Sequence, residues 1–149
     1  MRPRLRPGLT LLELLLQLCI LAILLGMAAP SLRRTADRWA VVACRDELAA
    51  LLRRTRAGAV ALGGARLELD LAAGVVRGVS AAEERIVAPR ALGDEYRVRI
   101  RAEGAAAGTV VIAFDRLGIG RLANRTIRIR RGREEAGITI SAYGRVRVW

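Results

Sequence analysis

Residues 9–29 form an apolar run of 21 residues in which the only polar side chains are Thr10, Glu13 and Gln17. At ~1.5 Å rise per residue a helix of this length covers the ~30 Å hydrocarbon thickness of a bilayer, so the run fits one membrane pass. A lipid-embedded backbone must satisfy its own hydrogen bonds, which dictates a helix. The carboxylate of Glu13 is the anomaly. An acidic side chain costs about 2.5–3.5 kcal/mol at the bilayer centre on insertion scales, so Glu13 near the edge of the run calls for a partner. An ordinary secretory signal would explain the preceding arginines and the small pair Ala28-Ala29. Its apolar region is only about 7–15 residues long, however, and has no use for Glu13 or Gln17.

The residues around this run carry a resemblance. Arg2, Arg4 and Arg6 form a short basic leader ending at Gly8, Glu13 is the fifth residue after that glycine, and Pro30 stands further along the same segment. This pattern resembles the N-terminal signature of type IV pilins and type II secretion pseudopilins, with Leu9 at the position where Phe is usual. The resemblance implies that a prepilin peptidase cuts between Gly8 and Leu9 and methylates the new amine of Leu9. It further implies that Glu13 pairs with the freed N-terminus of a neighbouring subunit in a filament. Elementary electrostatics agrees, because a buried carboxylate and a buried ammonium are tolerated only as a pair.

Beyond Pro30 the chain stays helical to about residue 61. Val41, Cys44, Leu48, Leu51, Thr55, Ala59 and Leu62 recur at spacings of three and four, an amphipathic stripe that predicts packing on a sheet. Gly63-Gly64 is the stop signal. The period then changes to two: Leu67, Leu69 and Leu71 alternate with Arg66, Glu68 and Asp70, and Ala73-Gly74 turns into Val75-Val76 as a hairpin. Tyr96, Val98 and Ile100 alternate with Arg97, Arg99 and Arg101; residues 109–114 and 126–130 read as further strands, and a last strand is expected from Ile138 to the end. Residues 79–94, 103–108 and 131–137 show no period and are expected as surface loops. The expected fold is therefore α+β: a long N-terminal helix, membrane-spanning in its first half, packed on antiparallel β-sheet. Residues 1–8 are the leader, 9–30 the transmembrane and filament-core helix, and 31–149 one small domain with no room for a second.

The net charge of +12 comes from arginine alone, since the chain contains neither lysine nor histidine. Without histidine a His-based catalytic site has no residues to use, and Cys19 and Cys44 are too far apart on any continuous helix to form a disulfide or a ligand pair. No catalytic residue, cofactor or metal site is expected. Glu83-Glu84 and Glu134-Glu135 read as solvated loop charges. The segment Gly118-Ile119-Gly120-Arg121-Leu122-Ala123 mimics a dinucleotide fingerprint but is followed by a strand pattern where a helix is required.

The carboxy-terminal part concentrates the charge, with nine arginines and two acids from Arg116 onward. Strand geometry sends Arg128 and Arg130 to one face and Arg145 and Arg147 to one face, with Val146 and Val148 opposite. Here the chain resembles the GspH/FimT group through Phe114, Gly118, Ile138-Thr139-Ile140-Ser141 and Gly144-Arg145-Val146-Arg147. The resemblance implies a pilin-like fold and a non-enzymatic minor pseudopilin of a type II secretion system. Such a subunit sits in the bacterial inner membrane by a single pass with its C-terminal domain in the periplasm, and assembles with other pseudopilins into a short filament. The alternative it implies is a FimT-like minor type IV pilin that binds DNA during natural transformation, with Gly144, Arg145 and Arg147 as the candidate DNA-binding residues.

Overall fold

The computed structural model describes residues 10–105, 108–121 and 124–149. The leader and the scissile pair Gly8 and Leu9 lie outside the described residues. One helix, α1 (Leu11–Leu62), is followed by β1 (Gly64–Asp70), β2 (Val75–Ser80), β3 (Arg85–Ala91), a short α2 (Leu92–Tyr96), β4 (Arg99–Ala102), β5 (Thr109–Asp115), β6 (Arg125–Arg131), β7 (Glu134–Ile140) and β8 (Val146–Val148). The α+β class and the long N-terminal helix are thus as the sequence predicts. Pro30 lies inside α1 without ending it. The chain divides into two units, Met1–Thr35 and Ala36–Trp149.

In the first unit the helix is long and apolar enough to cross a membrane, with a mean hydropathy of 2.4 over its best window. Its leucines and isoleucines, from Leu11 and Leu12 to Leu24 and Leu25, are exposed.

The second unit is built around two four-stranded antiparallel sheets, ordered β3-β2-β1-β5 and β4-β6-β7-β8. The predicted stripe largely faces them: Val41, Cys44, Leu48, Thr55 and Ala59 of α1 are buried, whereas Leu51 is only partly buried and Leu52, outside the predicted stripe, is fully so. They share one core with Leu67, Leu69, Val76, Ile112 and Phe114 of the first sheet and Ile100, Ile127, Ile129, Ile138 and Ile140 of the second. Each large aliphatic side chain so enclosed contributes about 1.5–3 kcal/mol relative to exposure. The buried hydroxyl of Thr55 donates to the carbonyl of Leu51 at 2.9 Å, which lets a polar residue sit in the stripe. Leu62, at the end of the stripe, is exposed.

Three expectations are corrected. Residues 79–94 are not one loop: they contain the end of β2, all of β3 and the start of α2. β3 is an edge strand in which only Val87 is buried and which carries Pro89, so it leaves no alternating signal. Residues 131–137 include the start of β7, and Glu134 and Glu135 belong to that strand and not to a loop. The last segment from Ile138 is also not one strand, because β7 stops at Ile140 and the chain folds back as β8 against it.

Candidate functional site

The amino-terminal candidate, Glu13, lies in the first turn of α1, where its backbone N–H donates to Thr10 Oγ1 at 3.2 Å. Thr10 and Glu13 have the spacing of a capping box, a local signal missed in reading the sequence. A carboxylate in this position is also favoured by the positive end of the helix dipole. Thr10 and Glu13 are both exposed.

The carboxy-terminal candidates are set by the register of the second sheet. Its inner face carries the buried isoleucines. On its outer face Arg99 of β4 stands opposite Arg130 of β6, and Arg101 opposite Arg128. On the other side of β6, Arg128 faces Gly137, Arg130 faces Glu135 and Thr126 faces Thr139. Thr139 in turn faces Arg147 of β8. One solvent face therefore gathers arginines that are far apart in the chain, joined at one end by Arg97. Like charges directly opposite each other across strands are destabilising, so this arrangement works against the sheet that carries it.

Two glutamates temper the face. Arg128 donates to Glu103 at 2.7 Å and to Glu135 at 2.9 Å. The Arg128 guanidinium, with a further hydrogen bond from Thr126, holds the Glu103 carboxyl below the usual carboxylate range. Arg130 bonds the carbonyl of Gly132, and Arg131 is taken up by Asp37 at 2.8 Å and by the carbonyl of Tyr96. Among the described residues no carboxylate pairs with Arg97, Arg99, Arg101, Arg145 or Arg147, all of which are exposed.

Trp149 closes the face. Its backbone exchanges two hydrogen bonds of 3.0 Å with Gly137, its indole N–H donates to Thr139 Oγ1 at 3.3 Å, and Arg128 lies 5.4 Å from the ring centroid. A Cβ at position 137 would run into Trp149 Cζ2, so the ring lies on the bare backbone of Gly137.

Gly144, named with Arg145 and Arg147 as a candidate, is buried, unlike the two arginines. It has φ +74° in the tight turn between β7 and β8, where its N–H bonds the carbonyl of Ser141 at 2.8 Å. Ser141 Oγ accepts from the N–H of Arg145 at 3.1 Å. A Cβ on Gly144 would lie 2.6 Å from the carbonyl oxygen of Gly118, which accepts a 2.8 Å bond from Arg56 Nε of α1. The turn thus packs on the loop at Gly118, and this close approach at Gly144 fixes where the chain leaves toward Arg145 and Arg147.

Elsewhere the polar side chains serve the fold. Tyr96 donates to Glu47 at 2.5 Å, and Arg90 pairs with Glu47 at 2.8 Å and Glu95 at 2.7 Å. The bond to Glu47, with burial, pushes the Tyr96 phenol up to about 12. Cys44 is free and buried, its thiol likewise pushed up to about 12, chiefly by burial and then by Glu47 and Glu95. Among the described residues no three His, Cys, Asp or Glu side chains converge as metal ligands would.

No protein-family model matches the chain, and neither the curated proteins nor the solved structures compared with it show a significant match.

Proposed function

We propose that the chain is a minor pseudopilin of a type II secretion system: a non-enzymatic subunit held in the bacterial inner membrane by α1, with its sheets in the periplasm, until it joins a short filament. The observation that carries this reading is the isolated carboxylate of Glu13 in the first turn of an exposed apolar helix. Extraction from the membrane would replace lipid contacts of Leu11–Leu25 by contacts with the helices of other pseudopilins, and the apolar surface suits either surrounding. Glu13 would then meet the methylated amine left by a prepilin peptidase at Leu9, each charge offsetting the desolvation of the other.

A second reading, a minor type IV pilin that captures DNA, is favoured by Arg145 and Arg147, which are exposed and have no carboxylate partner among the described residues, Arg147 lying in β8 and Arg145 just before it.

Glu13→Leu tests the first reading in cells that express a prepilin peptidase and a set of pseudopilins. Membrane insertion should be unchanged or improved, since the cost of the carboxylate disappears. Crosslinking to other pseudopilins should fall sharply; undiminished crosslinking would refute the pairing role.

A further inference from the structure

Gly144, Arg145 and Arg147 are the candidate DNA-binding residues that the family resemblance implies. We propose that the main element of the site is instead the paired ladder Arg99/Arg130 and Arg101/Arg128, extended by Arg97, and that it grips the backbone of duplex nucleic acid without reading sequence. The proposal deepens the DNA reading and rests on it for the class of ligand.

Three observations lead to it. First, the ladder is a grid: successive arginines on one strand are ~6.7 Å apart and facing arginines on neighbouring strands ~4.8 Å apart. The first spacing is suited to successive phosphates of one strand, and guanidinium forks bind phosphate oxygens in pairs. A small anion would meet two of these groups, whereas a polyanion meets them all. Second, the mutual repulsion of the facing pairs is left uncompensated at Arg99 and Arg101, and Arg97, the left-handed C-cap of α2, adds another charge beside them. An arriving row of phosphates relieves the repulsion.

Third, the shape of the face selects the mode of contact. Four strands span ~14 Å from first to last, more than the ~12 Å width of the major groove, so the sheet lies across the backbones and its arginines stay away from base edges. Platforms for stacking on unpaired bases are also scarce on this face. Among the described residues its one aromatic ring, Trp149, rests on Gly137 and has Arg128 over it. Single strands would need several such platforms in a row.

Glu103 and Glu135 are internal competitors for this ligand, because they hold Arg128 in the absence of phosphate. This gives the proposal a gain-of-binding test that a folding defect cannot imitate.

The experiment measures binding of the full chain, in non-ionic detergent, to a short fluorescent DNA duplex over a series of salt concentrations. Arg99→Gln with Arg101→Gln should flatten the dependence of log affinity on log salt by about 0.9 per lost phosphate contact, hence by about 1.8. Glu103→Gln with Glu135→Gln should strengthen binding and steepen the dependence by about 0.9, as Arg128 is released to a phosphate. Arg53→Gln with Arg54→Gln, exposed on α1, is the control of equal charge loss and should leave the slope in place.

An Arg99/Arg101 variant with the wild-type slope, alongside an Arg145→Gln/Arg147→Gln variant that loses binding, would overturn the ladder and leave the DNA reading intact. A comparable loss in the helix control, or a Glu103/Glu135 variant that binds no better, would overturn it as well. No binding by the wild-type chain near physiological salt would remove the DNA reading and the ladder together.

Discussion

Replacing Gly144 by alanine should destabilise the second unit far more than the same change at Gly63, although both glycines have nearly the same left-handed backbone, φ +74° and +79°. An alanine in that region costs about 1–2 kcal/mol on backbone grounds alone. Gly63 has nothing within 4 Å of the added Cβ, so Gly63→Ala should cost no more than that. At Gly144 the Cβ would lie 2.6 Å from the backbone oxygen of Gly118, with Arg56 Nε and Gly120 N at 3.4 Å. A backbone oxygen cannot swing aside as a flexible side chain can. The turn and the loop at Gly118 must separate, which loosens the Arg56–Gly118 bond, and hydrogen bonds to charged groups are worth about 1.5–3 kcal/mol. Gly144→Ala should therefore exceed Gly63→Ala by about 1.5–3 kcal/mol. Urea unfolding of the full chain in non-ionic detergent, followed by the near-ultraviolet signal of the tryptophans, measures both variants against the wild type. Costs equal within about 0.5 kcal/mol would refute the packing argument and reopen a direct ligand-binding role for Gly144.

Two further predictions concern pH. Tyr96→Phe removes the 2.5 Å bond to Glu47 and should cost about 1 kcal/mol at neutral pH. The folded phenol is raised from 10 to about 12, so its contribution is intact below pH 10 and lost as pH climbs toward 12; the gap between variant and wild type should close over that interval in pH-dependent unfolding. Glu68, whose side chain is 12% exposed, accepts from Arg66 at 2.8 Å and Arg77 at 2.6 Å, and these bonds hold its carboxyl below the usual 4.5. Its contribution is complete above that value and lost as pH falls below it, so Glu68→Gln should cost about 1 kcal/mol at neutral pH and converge on the wild type in acid unfolding.

The elements with strong periodicity were legible in the sequence. The stripe from Val41 to Ala59 and the alternations through Leu67–Leu69 and Ile127–Ile129 announce their buried faces, because burial on one side only is what imposes a period. β3 was illegible for the converse reason: at the sheet edge, with Val87 alone buried, nothing selects an alternation. β7 begins with two glutamates that look like loop charges; Glu135 lies on the solvent face, facing Arg130, and Glu134, half-buried, is the first residue of the strand. The fold-back into β8 turns on Gly144 and on Ser141 Oγ, and a single glycine inside an otherwise strand-like run is too weak a signal to place a turn. The basic site was half legible. Alternation puts Arg99 with Arg101 and Arg128 with Arg130, but only the antiparallel register of β4 on β6 sets the two pairs face to face. Long-range register follows from the whole core and is written in neither strand alone.

The central claim, that the chain is a prepilin-type subunit matured for assembly, is tested most directly by its intact mass after co-expression with a prepilin peptidase. Maturation predicts the mass of residues 9–149 plus one methyl group on Leu9. An unchanged mass, or a cut after Ala29 as an ordinary signal peptidase would make, would contradict the account.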